Sequence, residues 1–255
     1  MPDTLAARRR RDLPELAAGG FSRHDGTIAF YLRVNALLDG LADPDVVLDL
    51  GAGRGQFFET EPSPFHRQLR DLRAPGRTVV GVDVDDAVLD HPGLDAAHVV
   101  APDEALPLAD ASVDLVVSDY TFEHVEDPAW TAGELHRVLR PGGWICARTP
   151  NRWGAIAVPA RMVPNRLHDA VLARVQPAKD ARDTFPTHYR LNTTAALRRY
   201  FPPSRFAHCG YTHESEPAYA GRSALAWTAF RRLAAVTPAP ARSMHLVFLQ
   251  KRTTS

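Results

Sequence analysis

The segment from Val46 to Gly55 constrains this chain more than any other part of its sequence. It reads Val-Val-Leu-Asp-Leu-Gly-Ala-Gly-Arg-Gly, an apolar run that ends in three glycines at alternate positions. Such a run predicts a strand buried on both faces, as in a parallel sheet. Glycines at its end let a ligand approach the backbone closely, and a following helix offers free N–H groups. The segment therefore predicts an α/β fold that binds a nucleotide-like ligand after its first strand.

Further apolar runs resemble this first strand, and segments with helical periodicity separate them, most plainly Ala129–Arg140. Strands that alternate with helices imply right-handed crossovers and a parallel sheet. The last 50 residues differ, because two strand-like runs flank a helix predicted at Pro217–Val236 and close the sheet with an antiparallel member. We therefore predict a doubly wound, mostly parallel, seven-stranded sheet with strands at Val46–Leu50, Val79–Asp83, Ala97–Ala101, Val113–Ser118, Trp144–Thr149, Arg205–Tyr211 and Met244–Gln250.

The length of 255 residues and a hydrophobic content of 45% suit one domain with a full core. Within it, Glu61-Pro62-Ser63-Pro64 breaks the first crossover helix. An insertion after the fifth strand lies where loops usually cover a site. The predicted organisation of residues 1–255 is an N-terminal helical cap at 1–42 with its main helix at Thr27–Leu41, a ligand-binding core at 46–150, a substrate-covering insertion at 152–188, and a C-terminal helix with strands at 189–255.

Charge and composition exclude several classes of protein. The 30 basic and 30 acidic residues cancel, which argues against a nucleic-acid-binding protein. The run Arg8–Arg11 is the local exception, and it fits either contact with an anionic surface or a solvated tail. The sequence has neither the order of a signal peptide nor an apolar stretch long enough for a membrane span, so we expect a cytoplasmic protein. Metal-ligand spacing is lacking, and Cys146 lies in an apolar run typical of a core.

The motifs that follow the glycine loop occur in a specific order. Val79–Asp83 ends a strand in an acid, Leu106–Ser118 forms a Leu-Pro turn and a strand, Glu123-His124-Val125 comes next, and a helix ends at Leu139–Gly143. Over about residues 46–150, this order resembles class I S-adenosylmethionine-dependent methyltransferases of the bacterial small-molecule or glycan type. A dinucleotide dehydrogenase fits less well. It would have its third glycine at position 56 and its ribose acid about 20 residues after the loop, whereas Gln56 stands there and Asp83 comes later.

The resemblance implies S-adenosylmethionine as the cofactor. Asp83 would accept hydrogen bonds from the ribose hydroxyls, although it could instead cap the segment that starts near Asp85. The family usually has an acid where this chain has Pro102, so the adenine contact falls to Asp103, to Glu104, or to backbone and apolar walls, with Asp103 slightly favoured. The full set of implied cofactor-binding residues is Asp49, Gly51, Gly53, Gly55, Asp83, Val84, Asp103, Glu104 and Ser118.

Methyl transfer depends chiefly on alignment in a dry pocket, and a base is needed only if the acceptor must lose a proton. His124 and His188 are the candidate bases. Each also has a structural interpretation, His124 as a local hydrogen-bonding residue that shapes the pocket and His188 as a cap or anchor before a helix. The aromatic residues Tyr31, Tyr120 and Trp153 are candidate walls of the acceptor pocket or, alternatively, core residues.

These observations predict an enzyme that transfers a methyl group to a small-molecule or sugar acceptor, at oxygen, in a natural-product or glycan pathway. Transfer to nitrogen or carbon is the nearest alternative, and a non-catalytic protein that binds the cofactor is another. The predicted helix at Pro217–Val236 fits a lid, a homodimer surface or simple packing. The sequence does not distinguish among these.

Overall fold

The computed structural model describes residues 5–41, 46–154, 186–215 and 223–253. Most of the insertion predicted at 152–188 lies outside the described residues, which include only its two ends. The helix predicted at Pro217–Val236 is described from residue 223 onward.

Three helices precede the sheet: α1 (Leu5–Asp12), α2 (Glu15–Gly19) and α3 (Gly26–Gly40). The main helix predicted in this region is confirmed to within one residue at each end. Asp25 caps α3, because its side chain accepts hydrogen bonds from the N–H groups of Thr27 and Ile28. No helix within the described ranges is long and apolar enough to cross a membrane.

The central part of the chain alternates strands with helices. The break predicted in the first crossover is confirmed, and Ser63 restarts the helix by accepting a hydrogen bond from the N–H group of His66. The elements in chain order are β1 (Val46–Leu50), α4 (Phe57–Thr60), α5 (Pro64–Arg70), β2 (Thr78–Asp83), a 3-10 helix (Asp86–Asp90), β3 (Ala96–Val99), β4 (Val113–Asp119), α6 (Pro128–Val138) and β5 (Leu139–Pro150).

The C-terminal part adds two helices and three strands. In chain order these are α7 (Thr194–Tyr200), β6 (Phe206–His208), β7 (Tyr211–His213), α8 (Ala224–Val236), a 3-10 helix (Ala239–Ala241) and β8 (Met244–Lys251).

The strands form one mostly parallel sheet in the order β3-β2-β1-β4-β5-β8-β6, and β7 also pairs with β8. Strands β1 to β5 run parallel, and β8 pairs antiparallel with β5, β6 and β7. The order reverses between β1 and β4, which is the switch point where ligands bind at the carboxyl ends of strands. The predicted doubly wound α/β fold with an antiparallel closing strand is confirmed.

The predicted number of strands is wrong by one, since the sheet has eight strands rather than seven. The single strand expected at Arg205–Tyr211 is divided into β6 and β7 by Cys209 and Gly210. The two pieces nevertheless keep one register, with His208 opposite Leu249 and Tyr211 opposite Leu246. The division arises where the backbones approach closely, because a Cβ on Gly210 would lie 2.7 Å from the carbonyl oxygen of Leu246.

Alternate residues of each strand enter two separate hydrophobic clusters, one on each face of the sheet. In β1, Val47 joins the cluster beneath α3, whereas Leu48 joins the cluster beneath α6 and α7. Because both faces are covered, the strands are apolar throughout. Cys146 is fully buried in the α3 cluster, as its apolar surroundings in the sequence predicted.

Candidate active site

A cavity of about 900 Å³ opens at the carboxyl ends of β1, β2 and β4, the edge where a doubly wound sheet binds its ligand. Its volume lies within the range of small-molecule sites. A second cavity of about 50 Å³ adjoins it behind the glycine loop. The two share lining residues from the loop and its neighbours, namely Gly51, Ala52, Phe57, Arg70 and Asp119.

The three glycines of the loop all line the large cavity and have left-handed backbone conformations, with φ of 74° at Gly51, 58° at Gly53 and 65° at Gly55. A Cβ on Gly51 would lie 2.1 Å from the hydroxyl oxygen of Thr121, and a Cβ on Gly55 would lie 2.6 Å from the ring of His91. A Cβ on Gly53 would meet nothing within 4 Å. Only Gly53 therefore leaves open space where a ligand could approach the backbone.

Asp83, the predicted ribose ligand, lines the large cavity and holds the glycine loop in place. Its Oδ2 accepts a hydrogen bond from the N–H of Gly53 at 2.8 Å, and its Oδ1 accepts one from the N–H of Asp85 at 3.0 Å. Each carboxylate oxygen has a second lone pair, so both remain able to accept a ligand hydroxyl. The cap of the following 3-10 helix is Asp85 itself, which accepts from the N–H of Ala87.

Asp49 lines the small cavity rather than the large one. Burial raises its pKa to about 7, with the nearby Asp119 acting in the same direction and the guanidinium of Arg70 opposing the shift. Asp119 is itself neutralised by Arg148, whose Nε and Nη2 donate to its two oxygens at 2.6 and 2.7 Å. Tyr31 donates its hydroxyl to the same carboxylate at 3.2 Å.

The adenine contact was left open by the sequence, and the structure separates the two candidate acids. Glu104 lines the large cavity next to Pro102, whereas Asp103 is not part of its lining. Glu104 also accepts a hydrogen bond from the N–H of Ala101 at 3.3 Å. Val84 lies in the wall of the large cavity. Ser118 is fully buried and lines neither cavity.

The structure brings both candidate bases into the lining of the large cavity. The ring Nδ1 of His124 lies 2.8 Å from the carbonyl oxygen of Pro186. The backbone N–H of His188 donates to the backbone carbonyl oxygen of Glu123 at 2.7 Å. A carbonyl only accepts, so Nδ1 of His124 carries a proton in this contact.

The three candidate aromatic residues lie in three different places. Tyr120 lines the large cavity and has a left-handed φ of 61°, a strained conformation typical of functional sites. Tyr31 lines the small cavity instead. Trp153 is 60% exposed and lines neither cavity, so the structure gives it no place in the site.

Sequence reasoning missed several residues of the site. Glu123 is buried in the wall of the large cavity and accepts a hydrogen bond from the hydroxyl of Thr149 at 2.8 Å. Asp119 ends a buried strand at the binding edge, a position that strand-end reasoning could have identified. Arg70 comes from the second helix of the first crossover, and no motif marks it. His91 and Trp130 also contribute to the two cavities.

The donors and acceptors of this site fit the cofactor that the motifs imply. Asp83 retains acceptor capacity for hydroxyls, Gly53 opens onto free space, and Asp49 supplies a carboxylate behind the loop. No group of three His, Cys, Asp or Glu residues within the described ranges could hold a metal ion.

Known proteins that resemble this chain include methyltransferases. Residues 48–147 match a family model described as a methyltransferase domain. A protein of Mycolicibacterium smegmatis, named a probable S-adenosylmethionine-dependent methyltransferase, is 35% identical over 159 residues, which cover 60% of this chain and 54% of the relative. A malonyl-acyl-carrier-protein O-methyltransferase of Methylococcus capsulatus is 35% identical over 137 residues, which cover 49% of this chain and 46% of the relative. The chain thus spans about half the length of these curated relatives.

Solved structures agree on the fold. An S-adenosylmethionine-dependent methyltransferase of Methanosarcina mazei aligns with a TM-score of 0.51 and 19% identity, covering 86% of this chain and 98% of the other. The matched segment contains most of β1, all of β2 to β4, most of β5 and the whole glycine loop. Over residues 48–147 this chain is therefore similar to methyltransferase domains, in agreement with the motif order. The names of the M. smegmatis relative and of the M. mazei structure both include S-adenosylmethionine, the cofactor that the motif order implies for this chain.

Proposed function

We propose that this chain is an S-adenosylmethionine-dependent methyltransferase that methylates an oxygen atom of a small-molecule or sugar acceptor. The observation that carries this proposal is the large cavity, where the glycine loop, Asp83 and two histidines line one space. A protein that only bound the cofactor would not need a proton acceptor in that space. Its volume of about 900 Å³ leaves room for an acceptor beside a nucleoside.

The residues of the chain fall into a cofactor half and an acceptor half. Gly53 and Asp83 bind the nucleoside end, and Glu104 takes the adenine contact because it lines the cavity whereas Asp103 does not. When bound, S-adenosylmethionine supplies an electrophilic methyl group on a sulfonium. Tyr120 and Trp130 line the same cavity and offer aromatic surfaces to the acceptor.

His124 is the base in this proposal. The Pro186 carbonyl holds the proton on Nδ1, so Nε2 takes the hydroxyl proton of the acceptor as the oxygen–carbon bond forms. A hydroxyl that kept its proton would be a poor nucleophile. His188 is held by the Glu123 carbonyl on the same side of the cavity, and we assign it to orienting the acceptor.

The choice of oxygen is supported by a relative whose name describes an O-methyltransferase. We place the reaction in a bacterial natural-product or glycan pathway, as the motifs Arg148–Asn151 and His188–Phe201 suggest by resemblance. An acceptor that is already a carboxylate would need no base. Replacement of His124 therefore separates a hydroxyl acceptor from a carboxylate acceptor.

The test is incubation with trideuteromethyl-labelled S-adenosylmethionine and a metabolite extract, followed by mass spectrometry. We expect a deuterated product whose fragmentation places the label on oxygen. Asp83→Ala should abolish it through loss of cofactor binding, and His124→Asn should lower turnover about 100- to 10,000-fold, the usual contribution of a general base. His98→Asn is the matched control, since His98 lies in β3 and lines neither cavity.

Other outcomes point to the alternatives. Label on nitrogen or carbon would contradict the choice of oxygen. Full turnover in His124→Asn would remove the assigned base and favour a carboxylate acceptor. Cofactor binding without a labelled product from any extract would favour the non-catalytic alternative.

A further inference from the structure

The helices α1 and α8 pack together and carry a local excess of positive charge. The charged residues of the two helices are six arginines, Arg8 to Arg11, Arg231 and Arg232, and one acid, Asp12. In the whole chain, by contrast, the basic and acidic residues cancel. The run Arg8–Arg11, for which the sequence allowed either an anionic contact or a solvated tail, lies within α1.

Contacts with α8 hold this arginine run in place. Arg8 donates from Nη1 to the carbonyl oxygen of Ala224 at 3.2 Å and to the hydroxyl of Thr228 at 2.9 Å. The guanidinium carbon of Arg9 lies 5.3 Å from the ring centre of the buried Trp227, within the range of a cation–π contact. The arginines are therefore presented on a folded pair of helices rather than on a solvated tail.

A groove of about 490 Å³ lies between the two helices. Three of its lining residues are arginines, namely Arg8, Arg11 and Arg232. The acid in the lining, Asp12, lies 3.6 Å from Nε of Arg11 and forms a closer ion pair, at 3.0 Å, with Arg231. Three guanidinium groups around one paired carboxylate favour the binding of an anion such as a phosphate group.

An exposed, mostly apolar stripe runs along α8 beside this groove. Exposed residues at positions 225, 229, 232, 233 and 236 have the spacing of one helical face. Leu225 is 79% exposed, Val236 is 76% exposed, and Leu233 lies between them. Aliphatic side chains this exposed, with arginines beside them, are typical of helices that lie in the interface of an anionic bilayer.

We propose that α1 and α8 bind the surface of a membrane that contains anionic phospholipids. The arginines of the groove contact the phosphates, and the stripe of α8 enters the boundary between headgroups and acyl chains. The inference goes beyond the proposed function and does not depend on it, because neither helix lines the large cavity.

A phospholipid fits this surface better than other anionic partners do. It combines a phosphate for the groove with hydrocarbon for the stripe. A nucleic acid also has phosphates, but its bases stack on aromatic side chains rather than on leucine or valine. Interfaces with other proteins are enriched in aromatic residues and methionine, and the five positions of the stripe contain neither.

The test is co-sedimentation of the full chain with vesicles of phosphatidylcholine, either alone or with about 30% phosphatidylglycerol. We expect binding to the anionic vesicles only. Binding should fall when NaCl is raised from about 0.1 M to about 0.5 M, because salt screens exposed charges. Combining Arg11→Gln with Arg232→Gln should weaken binding about 25-fold, which is about fivefold for each arginine. Leu225→Gln should weaken it at least about 10-fold, because a leucine no longer enters the hydrocarbon.

Matched controls are available on other parts of the chain. Arg198→Gln with Arg199→Gln removes the same charge from α7, and Leu89→Gln replaces an exposed leucine of the first 3-10 helix. These controls should bind the vesicles like wild-type protein. All the substituted side chains are exposed, so an unchanged Tm should show that each variant folds. If a variant does not fold, the comparison of the two kinds of vesicle on wild-type protein decides.

Several outcomes would overturn the inference. Equal binding to both kinds of vesicle would do so, as would no binding to the anionic ones. Unchanged binding in the arginine pair or in Leu225→Gln would do the same. Tighter binding to duplex RNA or to poly-L-glutamate than to the anionic vesicles, with no effect of Leu225→Gln, would assign the surface to a nucleic acid or to an acidic protein instead. Because vesicle binding needs neither cofactor nor acceptor, these outcomes are distinguishable from a failure of the proposed function.

Discussion

At the scale of single residues, the three glycines after β1 serve three different purposes. Gly51 makes room for the side chain of Thr121, Gly55 makes room for the ring of His91, and Gly53 leaves open space at the cavity. All three have a positive φ that disfavours any side chain. The loop therefore combines two packing contacts with one ligand-facing position.

This difference predicts different effects of alanine at two of these glycines. Gly51→Ala should destabilise the fold by roughly 2–4 kcal/mol. The backbone strain of a positive φ adds to the steric clash of a Cβ that would lie 2.1 Å from Thr121 Oγ1. Gly53→Ala should cost only about 1–2 kcal/mol of conformational strain but should weaken binding of S-adenosylhomocysteine. Urea unfolding and calorimetry measure the two quantities. Equal loss of stability in both variants would contradict this assignment.

The raised pKa of Asp49 predicts that cofactor binding depends on pH. Below about pH 7 the carboxyl group is protonated and neutral, and above that value it is charged. We expect the charged carboxylate of Asp49 to attract the ammonium group of S-adenosylhomocysteine. Affinity for this ligand should therefore rise about 10-fold from pH 6 to pH 8. Calorimetry across this range measures the effect. Asp49→Asn should bind weakly with no such rise, and a rise that persists in this variant would assign the titration to another group.

Some site residues were predictable from the sequence because a strand end identifies them. Asp83 ends β2, Asp49 is the penultimate residue of β1, and the position of the glycine loop follows from Val46–Gly55. Arg70 and Glu123 were not predictable in this way. Arg70 reaches the cavity from a helix whose orientation depends on packing, and Glu123 lies in a loop whose path depends on Thr149 in the neighbouring strand.

At the scale of elements, Arg148 joins three pieces of the fold. It projects from β5, binds Asp119 at the end of β4 in bidentate fashion, and donates to the hydroxyl of Thr27 in α3 at 3.0 Å. Only 5% of its surface is exposed. This network fixes α3 against the binding edge of the sheet.

Arg148→Met should therefore destabilise the protein by about 3–5 kcal/mol, because it leaves the carboxylate of Asp119 buried beside Tyr31 without its charge partner. Urea unfolding measures the loss. The exposed pair of Arg73 and Asp71 is the control, and Arg73→Met should cost about 1 kcal/mol or less. A loss below about 1 kcal/mol for Arg148→Met would mean that packing alone holds α3 in place.

Element positions were predictable where a strong pattern marked them, as in β1 and α3. The division of the edge strand into β6 and β7 was not, because it depends on how closely Gly210 approaches the backbone of β8. The start of β5 was also predicted too late. The strand begins at Leu139 and includes the Pro-Gly-Gly segment that the sequence indicates only as a turn. Its pairing with β4 shifts register between the pairs formed by Val113 and Leu115.

At the scale of the whole molecule, the cofactor should stabilise the fold by mass action. S-adenosylhomocysteine at about 100 times its Kd should add about 2.7 kcal/mol and raise Tm by about 5–10 °C. Scanning calorimetry or dye-based melting measures the shift. NAD at the same concentration is the control for the dinucleotide alternative, and an equal shift with NAD would contradict the class of ligand assigned to the glycine loop.

The position of β8 also bears on how the chain folds during synthesis. Met244–Lys251 lies between β5 on one side and β6 and β7 on the other, and it supplies buried residues to both hydrophobic clusters. Until this segment leaves the ribosome, the edge of β5 remains unpaired and exposed to other nascent chains. Completion of the core therefore waits for β8, and the period before this strand pairs with β5 is when the chain most needs a chaperone.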